Sequence, residues 1–206
     1  MNKFYNGLGM EVKETITNTP EGGEVEEITA VGGPGDWIET DVENICIGAT
    51  GYRTEITSSG ECAHIATSGE ETVIDAKGKD ALIATAGRVG DQVISSGDYA
   101  TIACAGGLAV VESAANGATI ATAGYMTRVD STGSNAVIAC LGDGAGAKGQ
   151  VGSWITLAEW AFDKQAMRSY PVCVKTEFVD GKRIKAGVYY RLVNGEFAES
   201  EEDDFC

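Results

Sequence analysis

Gly60-Glu-Cys-Ala-His-Ile-Ala-Thr-Ser68 is one copy of a nine-residue pattern that returns at 78–86, 97–105 and 115–123. Its consensus is Gly-x-x-Ala-x-Ile-Ala-Thr/Cys-Ser/Ala. Following the central β-branched residue through the chain gives Ile28, Ile38, Ile47, Ile56, Ile65, Ile74, Ile83, then Val93 or Ile94, and on to Ile102, Val111, Ile120, Val129 and Ile138. The spacing is nine, with one extra residue before Ile38 and another between 89 and 92. Self-similarity at a fixed period marks an array of stacked units and not a domain wrapped around one core. Short β-branched runs between glycines read as strands joined by tight corners. A glycine in every unit would cost a helix about 1 kcal/mol each time.

The residue after each anchor reveals a longer period. It is Gly48, Ala66, Ala84, Ala103, Ala121 and Ala139 on alternate units. On the units between it is Glu39, Thr57, Asp75, an uncertain member at Ile94 or Ser95, Glu112 and Asp130. The repeat is therefore eighteen residues, two strands per turn. The predicted fold class is all-β, a parallel β-solenoid with a small antiparallel meander at the C-terminus. Thirteen anchors predict about six and a half turns, a rod roughly 30 Å long at about 4.8 Å per turn.

Side chains alternate along a strand, so an inward anchor sends its two neighbours outward. The expected interior holds the anchors, the Ala two before them and the Thr, Ser or Cys two after. The two outer faces then differ. One carries Glu39, Glu55, Asp75, Glu112 and Asp130, an acidic face. The other carries Cys46, Gly48, His64, Ala66, Leu82, Ala84, Thr101, Ala103, Thr119, Ala121, Val137 and Ala139. It is flat, small and almost uncharged, as interfaces are. The expectation is that a second copy or a terminal segment covers it.

The array is strongly acidic. Arg53, Lys77, Lys79, Arg88 and Arg128 are its only basic side chains between Gly23 and Leu141, against 17 acidic ones, in a chain of net charge −16. Phosphate contacts need Lys and Arg, so direct nucleic-acid binding is not expected. Such a surface serves solubility, or imitates the charge of a nucleic acid. Six cysteines show no CxxC pair and no zinc spacing. Cys104 and Cys140 share the slot of Thr67 and Thr85, so they read as core fillers in a reducing compartment. No signal peptide or membrane span is read from the sequence.

Along the chain, 1–27 reads as a lead that caps the first turn, 28–141 as the array and 142–152 as a Gly-rich linker. Residues 153–198 read as a hairpin cap, with Asp180-Gly181 as its turn, and 199–206 as a mobile acidic tail. Gly144, Gly146 and Gly149 match GxGxxG, but strand residues follow instead of a helix, so no phosphate loop is expected. His64 is the only histidine and has no recurring carboxylate beside it, so it reads as a surface or interface residue. Members of the acidic column two turns apart are about 10 Å distant, too far for paired acid–base work. Catalytic residues, bound metal and cofactor are therefore all expected to be absent.

Gly97-Asp-Tyr-Ala-Thr-Ile-Ala-Cys-Ala105 resembles a known repeat, as do the ending 152–160 and the stretch Pro171-Val-Cys-Val-Lys-Thr-Glu-Phe-Val-Asp-Gly-Lys-Arg-Ile-Lys-Ala186. They are similar to uncharacterised phage and gut-bacterial proteins with tandem Gly-(Asp/Asn)-Tyr-Ala-x-Ile-Ala-Ser-Ser nonapeptides. The likeness spans roughly 51–198. It implies a β-solenoid of phage or mobile-element origin and brings no catalytic residues. Calcium β-rolls need a second Gly and an Asp that these corners lack. Pentapeptide repeats share only the physical analogy of an acidic rod. The expected function is a non-enzymatic, self-associating binding protein, an inhibitor of a host protein through its acidic face. A structural virion or tail-fibre spacer is the alternative, and a ligand-sequestering protein or small enzyme with an inter-subunit pocket a third reading. The expected location is the host cytoplasm or the virion.

Overall fold

The computed structural model describes residues 3–5, 14–18, 24–30 and 35–205. In chain order the strands begin with β1 (Lys3–Tyr5), β2 (Glu14–Asn18), β3 (Glu24–Ala30), β4 (Trp37–Thr40), β5 (Cys46–Ala49), β6 (Glu55–Ser58) and β7 (His64–Thr67). There follow β8 (Val73–Ala76), β9 (Leu82–Thr85), β10 (Gln92–Ser95), β11 (Thr101–Cys104), β12 (Val110–Ser113), β13 (Thr119–Thr122) and β14 (Arg128–Ser131). The chain closes with β15 (Val137–Cys140), β16 (Gly146–Lys148), β17 (Trp154–Asp163), β18 (Arg168–Phe178), β19 (Tyr189–Val193) and β20 (Glu196–Ser200).

Even-numbered strands from β4 to β16 form one parallel sheet, and odd-numbered strands from β3 to β17 form the other. Each pair, from β3/β4 to β15/β16, is one turn, giving about seven turns of a β-solenoid. The register is the eighteen-residue repeat: Thr101 pairs with Thr119, Ile102 with Ile120 and Ala103 with Ala121. Where a residue is inserted, Leu82 pairs with Thr101 and Val73 with Gln92.

Alternation along each strand places the anchors inside. Ile38, Ile74, Ile83, Ile102, Val111, Ile120 and Ile138 are fully buried. Val93 is the buried anchor of β10, and Ile94 lies outside beside Asp75 and Glu112. Small side chains fill the interior next to the corners. There Thr67 hydrogen-bonds Thr72 at 3.3 Å, and Thr122 hydrogen-bonds Thr127 at 2.9 Å. Asp91, at the inserted corner, is buried and accepts from the Thr72 N–H and hydroxyl at 3.2 and 2.9 Å.

Corners stack as tightly as strands. From Ile38 onward, the third residue before each anchor adopts a left-handed conformation, for example Cys62, Tyr99 and Leu108 with φ of 55, 62 and 54°. That conformation costs a non-glycine residue about 1 kcal/mol. Here each is locked by its neighbour: Cys62 N–H donates to Lys79 O at 2.8 Å and Leu108 N–H to Tyr125 O at 2.7 Å. At the corner leading into the even-numbered sheet, Gly69, Gly87, Gly106, Gly124 and Gly142 lie so close that a Cβ on any of them would meet the carbonyl of the one before.

That glycine stack corrects the reading of 142–152 as a linker. Gly142 occupies the corner above Gly124, Ala147 is a buried anchor, and β16 pairs with β14. The segment is a further rung, disguised by its loss of a β-branched anchor. The next offset is also one residue short, since Val137 pairs with Trp154. The C-terminal pairing differs too. Val172 to Phe178 does not form a hairpin about Asp180-Gly181; it returns antiparallel along β17, and β19 pairs with β20 across Asn194-Gly195. Asp180 instead accepts the N–H groups of Lys182, Arg183 and Ile184, at 2.8, 2.9 and 3.2 Å. These bonds hold its carboxyl below the usual carboxylate range and curl the chain from one sheet across to the other.

Antiparallel strands close both sheets at both ends. β1 pairs with β4, β2 with β3, β18 with β17 and β19 with β16. Open parallel edges would otherwise template end-to-end addition. Of the expected cap over 1–27 only 3–5, 14–18 and 24–27 are among the described residues, and the side chains of 1–34 lie outside them. Within the tail, Glu202–Phe205 forms a 3-10 turn, and Glu202 accepts from Arg128 at 2.6 Å.

The interior thiols give a testable consequence. Burial pushes Cys104 up to about 11, with the Asp91 charge adding to the shift, and burial raises Cys140 as well. Both should resist maleimide in the native protein, while half-buried Cys46, Cys62 and Cys173 react. The folded state keeps these protons longer than the unfolded chain does. The Cys104 contribution is therefore complete below about pH 9 and falls, by about 1.4 kcal/mol per pH unit, as pH rises towards 11; Cys140 acts in the same direction. Cys104→Thr, matching Thr85 and Thr122 on either side, should flatten the decline of melting temperature between those values.

Candidate interaction face

The outer face of the odd-numbered sheet has three columns of side chains. The residue before each anchor gives Cys46, His64, Leu82, Thr101, Thr119, Val137 and Trp154. The residue after gives Gly48, Ala66, Ala84, Ala103, Ala121, Ala139 and Thr156. At the strand ends stand Thr50, Ser68, Ala86, Ala105, Ala123 and Leu141. From β5 to β17 these columns contain no Asp, Glu, Lys or Arg. All twelve residues expected on this face are brought together there by the parallel register.

The face is corrugated. The first column stands up as a ridge, with Leu82 45%, Val137 51% and Trp154 48% exposed. Trp154 extends the ridge by packing at a tilt against Phe178 of the cap, ring centroids 5.0 Å apart. The alanine column beside it floors a groove of about 420 Å³ running from Ala66 to Leu141. A shorter groove of about 290 Å³ continues it past Gly48 and His64. Sequence reading missed the strand-end column and the Trp154/Thr156 rung. The 17-residue offset from Val137 hid that rung.

The even-numbered sheet answers less simply to the acidic face. Asp75 pairs with Lys77 at 3.1 Å, Asp130 with Lys148 at 2.6 Å and Glu112 with Arg128 at 4.0 Å. Lys148 also lies over the Tyr189 ring at 4.6 Å, and Glu202 covers Arg128. Glu39 and Glu55 stand on neighbouring outer columns of the first turns. Lys77, Arg128 and Lys148, all from the array itself, thus balance part of the acidic column, and Val73, Ile94 and Val110 interrupt it.

Chemistry-bearing groups are dispersed. His64 is exposed, and its strand neighbours are Cys46 and Leu82. Among the described residues no three His, Cys, Asp or Glu side chains converge on one point, and no helix is long and apolar enough to cross a membrane. A polar recess of about 160 Å³ lies between the last rung and the cap, lined by Asp143, Glu159 and Arg191. Its carboxylates are engaged: Asp143 accepts from the Ser169 hydroxyl at 2.7 Å, and Glu159 accepts from the Asn194 and Gly195 N–H groups at 2.9 and 2.8 Å. No family model, curated protein or solved structure matches this chain.

Proposed function

We propose that this chain is a non-enzymatic binding protein that self-associates through the outer face of its odd-numbered sheet and offers its acidic surface to a protein partner. The observation that carries the reading is the distribution of charge. A protein of net charge −16 keeps one face, seven rungs long, free of acidic and basic side chains. Interface cores are depleted of charge in this way, while a surface that only keeps a protein soluble intersperses both signs. The acidic remainder repels other anionic surfaces and favours a basic partner, such as a host protein that itself binds nucleic acid.

Sedimentation of the wild-type chain is expected to show concentration-dependent association. Ala103→Arg, at the centre of the face, should shift it to monomer with an unchanged far-ultraviolet spectrum. A wild-type monomer at every concentration would remove the self-association. Capture from host lysate that recovers no protein would remove the partner. A structural spacer in a virion is the second reading. It predicts a stable trimer or larger that does not dissociate on dilution, and the capped sheet ends argue against open filaments.

A further inference from the structure

We propose that two copies pair side by side with their rods pointing the same way, the ridge of each seated in the groove of the other. This rests on the self-association reading above and adds the partner's arrangement to it.

Ridge and groove lie side by side on one face, two residues apart along each strand, about 7 Å. Both repeat once per rung, because the same parallel register sets both. A two-fold axis parallel to the rod exchanges left and right but preserves height. It therefore lays each ridge side chain over the small residue of the same rung in the other copy: Leu82 over Ala84, Val137 over Ala139, Trp154 over Thr156. Large meets small at these rungs, and the shorter Cys46, Thr101 and Thr119 meet Gly48, Ala103 and Ala121.

A two-fold axis across the rod does the opposite. It preserves left and right and inverts height, so ridge meets ridge and groove meets groove. Leu82 would abut Thr119, and two grooves of about 420 Å³ would face each other unfilled. Unfilled apolar space forfeits dispersion contacts on both sides, which disfavours this arrangement.

A second copy fits better than other occupants for two reasons. Its rungs share the roughly 4.8 Å spacing of this face, which the ridges of a helix do not. And two chains of net charge −16 can approach without acid meeting acid only through the uncharged face. The patch measures about 30 by 15 Å, roughly 900 Å² for the pair, near the lower bound for specific association. The pair is accordingly expected to dissociate on dilution.

The arrangement makes Ala84→Leu a decisive substitution, read by sedimentation. With ridge in groove, the new side chain collides with the partner's Leu82 and weakens the dimer at least ten-fold. The double variant Leu82→Ala/Ala84→Leu exchanges ridge and groove within one rung and should recover most of the affinity. If groove faces groove, Ala84→Leu fills empty space and tightens the dimer, which overturns the proposal. An unchanged affinity overturns it too. Cross-linking tests the same pairing. In chains with Cys46, Cys62, Cys173 and Cys206 changed to Ser and the dimer mass retained, copies carrying Leu82→Cys are mixed with copies carrying Ala84→Cys or Thr119→Cys. A short bismaleimide should join 82 to 84 in large excess over 82 to 119, and the reverse ratio sinks the arrangement while leaving self-association standing. A wild-type chain that stays monomeric sinks both.

Discussion

Gly124→Ala is expected to lower the unfolding free energy by about 3 kcal/mol or more, measured by urea denaturation. The added Cβ would sit 1.8 Å from the Gly106 carbonyl oxygen and 2.4 Å from its carbon. Both are backbone atoms of a corner whose other face already supports the next rung. A Cβ on Gly142 would likewise sit 1.7 Å from Gly124 O, so the same close stacking continues at the next level and leaves the corner no room to shift. Closely packed interiors accommodate an extra methyl only by distorting their surroundings, and here the surroundings are hydrogen-bonded main chain. Gly48→Ala is the matched control. Nothing lies within 4 Å of its Cβ, because Gly48 is on the outer face. It should be neutral or stabilise by about 0.5 kcal/mol, as when strand glycine gives way to alanine. Equal effects at the two sites would contradict the stacked-corner geometry.

Ile102→Ala should cost about 4 kcal/mol, and Ile94→Ala less than about 1 kcal/mol. Ile102 is fully buried at the middle of the array, paired with Ile83 below and Ile120 above. Truncation removes three carbons from water-free surroundings, and rungs locked by register on both sides cannot collapse into the space. Ile94 has the same side chain but faces outward, its place in the core taken by Val93. Parallel denaturation curves of the two variants decide the register at the inserted residue. Comparable losses would show that the strand slips between two pairings.

The fold was legible because solenoid geometry writes itself into sequence at short range. Nine residues make a strand and a corner, and eighteen return the chain to the same place one rung higher. The anchors, the alanines before them and the alternation of faces could all be read from spacing alone, and Ala66, Ala84, Ala103 and Ala121 do line up in consecutive pairings. Legibility failed where the repeat lost its markers. Gly146-Ala147-Lys148 has no β-branched anchor, so the last rung read as a linker. Asp180-Gly181 has the composition of a hairpin turn. But β18 found a longer partner in β17, ten residues of strand already held at the edge of a sheet.

The sequence by itself determined the solenoid, its eighteen-residue period and the difference between its two faces, because these follow from local alternation and repeated sterics. Only the tertiary structure decided which of Val93 and Ile94 turns inward, how the caps close each sheet, how far the acidic column is neutralised, and that the uncharged face is a ridge beside a groove. Those features depend on which residues meet across turns and between sheets. The tail reaches back to the array from far along the chain, with 74 positions separating Arg128 from the Glu202 that binds it, and no period in the sequence encodes such a meeting.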